Sequence, residues 1–229
     1  INKSKMFKFL IIVIVFLRYY LCNGQVLQIG LCPEVESMKY FEMEKFLGTW
    51  YEMQRFPTWY EDYGQCAYKI FDYCGRRLEI SHGYIKDRVE YVLHVNTTYA
   101  PGDEAVFTTP KSNIDPVGIP LVVVDTDYKD YAVIYGCKSD DLRIKYISAW
   151  ILSRSYSLDE ETLSKARDIL VKRTSSSAVY LETVHHSPEL CDSYWTAHVQ
   201  AQYVNTTEVD EEVEGRKRMT KYYQNIDNK

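Results

Sequence analysis

Between Gly48 and Ser153 the chain breaks into eight short strand-like runs, joined mostly by hairpin-length links. "TWYEMQRF" stops at Pro57, and "CAYKIFDY" ends at the turn "CGRR". "LEISHGYI" alternates strictly, which places Leu78, Ile80, His82 and Tyr84 on one face. "DRVEYVLHVNTT" alternates too, followed by "DEAVFTTP", "GIPLVVVDTD", "DYAVIYGC" and "IKYISAWILSR". Eight consecutive antiparallel strands must stack as two sheets or close on themselves. Closure removes both exposed edges, and an eight-stranded barrel has room for one small ligand. The reading is therefore all-β: an eight-stranded antiparallel up-and-down barrel.

A single helix follows the strands. Ser157 with Glu160 forms a capping box ahead of "SLDEETLSKARDILVKR", and Leu163, Ala166, Ile169 and Leu170 make one apolar stripe that packs outside the barrel. "AVYLETV" reads as a short extra strand. Beyond Cys191 the apolar pattern fades into the acidic run "EVDEEVEG" beside "RKR", so residues 192–229 read as a flexible polar tail. Gly215 to Arg218 offer a basic processing site, with a solvated charge run as the plainer reading.

Several signals point to export. A basic start at Met6, an apolar run from Phe9 to Leu17, and small Cys22 and Gly24 describe a signal peptide over residues 1–24, with residues 1–5 as leader. The apolar run is too short to span a bilayer. The domain proper is then 25–191. Five cysteines remain after cleavage: Cys32, Cys66, Cys74, Cys137 and Cys191. In a secreted chain they read as two disulfides and one leftover thiol, and spacing alone leaves the pairing open. Asn96 and Asn205 sit in glycosylation sequons. A glycan on Asn96 turns Val92 and His94 outward with it, leaving Tyr91, Leu93 and Val95 inside. The formal charge of −5 gives no basic face for nucleic acid.

The residues also carry a resemblance. Gly48-Thr49-Trp50, Thr126-Asp127-Tyr128 and Arg154 in "AWILSR" resemble, in order, the three signatures of the lipocalin family. "CPEV", "GTWYEM" and "TDYKDYA" are similar to the subgroup of apolipoprotein D and the insect bilin-binding proteins. The resemblance implies a calyx whose closed end is plugged by Trp50 under Arg154, with Gly48 letting another backbone approach. It implies the bridges Cys32–Cys137 and Cys66–Cys191. Cys74 is then unpaired, either an inert thiol or the sulfur of a disulfide-linked dimer.

Alternation and the resemblance together select Phe71, Leu78, Ile80, His82, Tyr84, Tyr91, Leu93, Val95, Val122, Trp150 and Leu152 as pocket lining, apolar with one or two polar groups. Members of the family often carry asparagine where this chain has His82. A lone histidine there reads as a satisfied polar group, with haem ligation a minor alternative. No nucleophile elbow, phosphate loop or metal-ligand spacing is present, and Glu52 and Asp127 read as strand-end or surface charges. The expectation is a non-enzymatic secreted carrier of a fatty acid, sterol or bilin, requiring no cofactor and no metal, with Tyr84 or His82 orienting a polar end. The resemblance adds lipid handling under oxidative stress. The competing expectation is an interaction protein whose barrel mouth or tail meets a receptor, a lipid surface or another protein.

Overall fold

The computed structural model describes residues 24–61, 64–74, 77–99 and 105–203. Most of the export segment, Asn205, the side chain of Cys74 and the basic run at 216–218 lie outside the described residues.

Strands β2 (Gly48–Arg55), β3 (Gln65–Cys74), β4 (Arg77–Lys86), β5 (Val89–Tyr99), β6 (Val106–Thr108), β7 (Leu121–Thr126), β8 (Tyr131–Ser139) and β9 (Ile144–Ser153) form an antiparallel meander. Pairing of β9 with β2 closes it into a barrel. The β4–β5 hairpin turns through Asp87 and Arg88, with φ of 50° and 62°; positive φ at both central residues matches the right-handed twist of the flanking strands. A short N-terminal strand, β1 (Val26–Ile29), adds to the first half of β9, where β2 does not reach.

One end of the barrel is closed. Helix α1 (Met43–Phe46) lies across it, and Phe46, Trp50, Phe71 and Phe107 pack beneath as fully buried rings. Helix α2 (Glu160–Thr174) packs outside, burying Ala166 and Leu170 against Val124, Val133, Tyr135 and Ile151 of the wall. Its N-cap is Asp159, whose carboxylate accepts the Thr162 N–H at 2.9 Å, not Ser157 as the capping-box pattern suggests. An aspartate two residues further on, directly before the first helical residue, is the better acceptor, and it adds charge at the positive end of the dipole. "AVYLETV" divides into a 3-10 turn (Ala178–Tyr180) and a two-residue strand, β10 (Glu182–Thr183), on the edge of β2.

Both expected disulfides are present, Cys32–Cys137 and Cys66–Cys191. They span 105 and 125 residues, each worth about 4.7 kcal/mol in the chain-entropy account.

Part of the expected tail, up to Tyr203, lies against the barrel. Trp195–Gln200 forms β11, which runs parallel to β5 from Val89 to His94. Strand β6 has only three residues and pairs with β5 only at Thr98 and Tyr99, so a slit is left beside the rest of β5. The chain after Cys191 fills it. Beyond β11, Asn113 N–H donates to Gln202 O, Gln202 N–H donates to Asn113 Oδ1, and Ser112 bridges Tyr203. Val199 and Ala201 pack inward against Leu93, Val95 and Ile114. The C-terminal segment is thus a stave in the barrel wall.

Candidate ligand site inside the barrel

The base is built by the three signature segments. Gly48 has φ +93°, a conformation that favours glycine, and its missing Cβ would lie 3.5 Å from the Arg154 guanidinium. The positive φ and the overlying guanidinium, not the approach of another backbone, account for this glycine. The Arg154 guanidinium carbon lies 3.8 Å from the centre of the Trp50 ring. Its nitrogens donate to the carbonyls of Thr49, Lys45, Phe46 and Tyr128. Trp50 Nε1–H donates to Phe46 O at 2.8 Å. Asp127 shapes the adjoining loop: one carboxylate oxygen accepts the N–H groups of Lys129, Asp130 and Tyr131. Although partial burial opposes it, those three bonds hold its carboxyl below the usual range.

Above this base the interior is charged. A register shift between Glu52 and Gln54 inserts a bulge at Met53, so Glu52 and Arg55 both point inside. Lys69 stands opposite His82 across β3 and β4. Its ammonium lies 2.6 Å from Glu52, 2.9 Å from Glu61 and 2.8 Å from His82 Nδ1, and 4.2 Å over the Trp150 ring. Arg55 contacts Glu52 at 3.1 Å and Glu61 at 3.6 Å, and donates to Gly64 O. Trp150 Nε1–H and Thr58 Oγ1–H both donate to Glu61. Two cations thus face two carboxylates, all buried.

The cluster separates its acids. Burial would push the Glu61 carboxyl up, but Lys69, Arg55 and Thr58 outweigh it and hold it well below the carboxylate range. Burial and the neighbouring Glu61 raise Glu52. Burial, then Lys69, lowers His82, which accepts the Lys69 proton donor as a neutral imidazole. Glu52 is therefore the heart of the interior, correcting its reading as a strand-end or surface charge.

A cavity of about 20 Å³ lies above the cluster, room for about one water molecule. Tyr60, His82, Val95, Thr109, Ile114, Asp115, Ile119, Leu121, Ser148 and Trp150 line it. Its roof is two loops. Tyr60, whose ring meets His82 edge-on at 5.3 Å, comes from the β2–β3 loop. Ile114, Asp115 and Ile119 come from the β6–β7 loop, where Asp115 accepts the N–H groups of Val117, Gly118 and Ile119. Trp59 Nε1–H donates to Ile114 O at 3.0 Å and ties the two loops together.

Of the expected lining, His82, Val95 and Trp150 border this cavity. Phe71, Leu78, Ile80 and Leu152 point inward but pack lower, in the cluster with Trp50. Tyr84 and Leu93 pack beside the stave, and Tyr91 stacks on Tyr84 at 5.3 Å, half-buried. Val122 is on the other face: Leu121 and Val123 enter the interior cluster, and alternation sends Val122 out. The lining is also more polar than expected, with Tyr60, His82, Thr109, Asp115 and Ser148 in it. Lys69 was the readable omission, since "CAYKIFDY" places it two residues from inward Phe71. Arg55 was hidden by the bulge, and Glu61 by its place in a loop.

Cys66, His186 and Cys191 gather within metal-ligand distance, but both sulfurs are joined in the disulfide and none of their thiolate character remains.

Comparison with known proteins places the chain. The model of the Lipocalin / cytosolic fatty-acid binding protein family matches residues 47–187. Insecticyanin-A of Manduca sexta is 28% identical over 155 residues, 64% of this chain and 81% of that protein. Bilin-binding protein of Pieris brassicae is 27% identical over 159 residues, 65% of this chain and 80% of the relative. Apolipoprotein D of Cavia porcellus is 28% identical over 150 residues, covering 65% and 79%. Among solved structures, insecticyanin superposes with a TM-score of 0.67 at 24% identity, covering 78% of this chain and 98% of its own. Lobster apocrustacyanin A1 gives 0.55 at 18% identity, covering 71% and 92%. At these identities the two structures speak to the fold alone.

Proposed function

Because this chain belongs to the lipocalin / cytosolic fatty-acid binding protein family, we propose that it is an extracellular carrier taking one small ligand, with an apolar body and polar groups, into its barrel. The observation that carries this reading is the layered interior. A base stoppered by Trp50 and Arg154 lies under a charge-balanced cluster, and a cavity lies between that cluster and two loops joined by the hydrogen bond from Trp59 to Ile114. Ligand pockets in general occupy about 300–1,000 Å³, so entry requires Tyr60, Ile114 and Ile119 to swing away. Trp150, Leu121 and Val95 then offer apolar area, worth about 25 cal/mol per Å² buried. His82, Ser148 and Thr109 offer hydrogen bonds.

That polar row favours a bilin over a fatty acid or sterol, in line with the ligand named for bilin-binding protein. Two long-range disulfides support secretion into an oxidising compartment. Lipid handling under oxidative stress stays a proposal from the family resemblance. The interior favours binding over catalysis: Lys69, the strongest nucleophile candidate, is held by two carboxylates and an imidazole.

A second reading has its own observation. The cavity beside His82 and Trp150 is small, while Ile29, Leu142 and Trp195, at the mouth end of their strands and turns, are 92%, 79% and 75% exposed. An interaction protein would present this rim to a partner. One experiment separates the two. Native mass spectrometry and the visible spectrum of protein from its source, followed by titration with biliverdin, palmitate and cholesterol, should show one ligand per barrel. Binding of none of the three would overturn the carrier and favour the rim.

A further inference from the structure

On the outer wall, away from the cavity, three polar side chains form a line across three strands. Glu79 on β4 accepts from His94 Nδ1 on β5 at 2.9 Å, and Ser81 Oγ stands 3.0 Å from that same nitrogen. His94 Nε2 then faces His198 Nδ1 on β11 at 2.9 Å. The two imidazole rings lie 5.2 Å apart with a 23° interplanar angle, and His198 is exposed. We propose that His94 Nε2 and His198 Nδ1 form a binding site for a divalent transition-metal ion of the copper(II) and zinc class, and that its occupancy pins the C-terminal stave to the barrel wall.

The chemistry follows from the two nitrogens. With a metal–nitrogen length of about 2.05 Å, two ligands at 90° stand about 2.9 Å apart, and two at a tetrahedral angle about 3.3 Å. The observed separation equals the first value, but the 5.2 Å between ring centres sets the two nitrogens head-on, as in a hydrogen bond, so the exposed His198 ring must turn off that line to share an ion with His94. Glu79 supplies the partner that a metal-binding histidine characteristically has. It accepts the Nδ1–H of His94, fixes that tautomer and leaves Nε2 as the free lone pair. In the metal-free pair one proton bridges Nδ1 of His198 and Nε2 of His94. When the metal enters, that proton moves to Nε2 of His198 on the solvent side, and water completes the coordination.

The location has a consequence. His94 belongs to the meander and His198 to the strand that fills its slit, so a shared ion joins elements otherwise held mainly by an exposed parallel ladder. An ion bound only when β11 is docked suppresses undocking by a factor of one plus its free concentration over its Kd, about a hundredfold at a hundred times Kd.

The test uses the full chain and copper(II) or zinc alone. Calorimetry should show one site per chain, and electron paramagnetic resonance of the copper form should show imidazole nitrogen coupling. His198→Gln, on an exposed position that leaves the fold intact, should abolish that site. Glu79→Gln should weaken it about 10–100-fold, and His185→Gln should leave it unchanged. Hydrogen exchange of the β11 amides should slow on adding copper, and only in chains that retain His198. Absence of imidazole-bound metal in the parent chain, or equal binding by His198→Gln, would overturn the site. Binding without slower β11 exchange would overturn the pinning.

Discussion

Lys69 has no exposed surface, and its ammonium touches two carboxylates, an imidazole and the face of an indole. Such an arrangement is costly to assemble and costlier to break, because removing one member strands the others without compensation. Lys69→Met should therefore destabilise the protein by about 3–5 kcal/mol in urea denaturation at neutral pH. Adding Glu61→Gln, which removes one stranded charge, should recover part of that loss, with a coupling of about 0.5–3 kcal/mol. Strict additivity of the two changes would contradict a working cluster. His82 gives the same cluster a pH signature. Its pKa is depressed by burial and by Lys69, so below about pH 6.5 the unfolded chain takes up a proton that the folded chain refuses. Stability is complete above that pH and falls as the pH drops, by up to about 1.4 kcal/mol per unit. Glu61, also depressed, adds its loss only below about pH 4.3. His82→Asn should flatten most of the slope between pH 6.5 and 5; His186, which burial also lowers, adds to that slope, and Glu52, which burial raises, opposes it. An unchanged slope would mean that His82 is already charged in the fold.

At the scale of elements, the strand that fills the slit is the sharpest test. A chain ended after Ser193 keeps the Cys66–Cys191 bridge but loses β11 and the bonds to Asn113. The barrel should still fold, with a lower urea midpoint, while amides of Val89–His94 exchange faster and those of β8 and β9 do not. Uniform loss of protection would show that β11 is needed for folding rather than for closing the wall. This strand was illegible in the sequence for a physical reason. Its residues alternate between exposed and half-buried positions with little apolar contrast, and it docks in parallel on a gap left because β6 is short. The meander itself was legible, since the sequences of β4 and β5 alternate even though Ile80 to Ile85 of β4 are buried on both faces, and the tryptophan–arginine stopper was legible through the family resemblance alone. Val122 was misread because β7 is covered on both sides, inside by the core and outside by α2, which erases the alternation. The charged storey was half legible: Lys69 follows the phase of Phe71, whereas the bulge at Met53 breaks the phase that would have shown Arg55 inside.

For the molecule as a whole, the interior and the loops above it pose one problem of access. The base is closed by Arg154 with four carbonyl acceptors over the buried rings of Phe46, Trp50, Phe71 and Phe107, which bar a ligand there. The side slit is filled by β11. What remains is the roof, where the β2–β3 and β6–β7 loops meet through the Trp59 indole and Ile114 O. On the carrier reading proposed above, a cavity of about 20 Å³ is too small for a tetrapyrrole, so the roof must open for one to bind. Trp59→Phe keeps an aromatic ring against Tyr146 but removes the fused pyrrole portion with its N–H, whose bond is worth about 0.5–1.5 kcal/mol. Opening should become about 2–12 times more frequent. The association rate of biliverdin, followed by quenching of tryptophan fluorescence in a stopped-flow instrument, should rise by that factor. Dissociation should hardly change, because the lost bond is absent from the occupied state, and Kd should tighten accordingly. Equal association rates for the two chains would place the entrance elsewhere, and the stave beside β5 would then be the part of the wall to move.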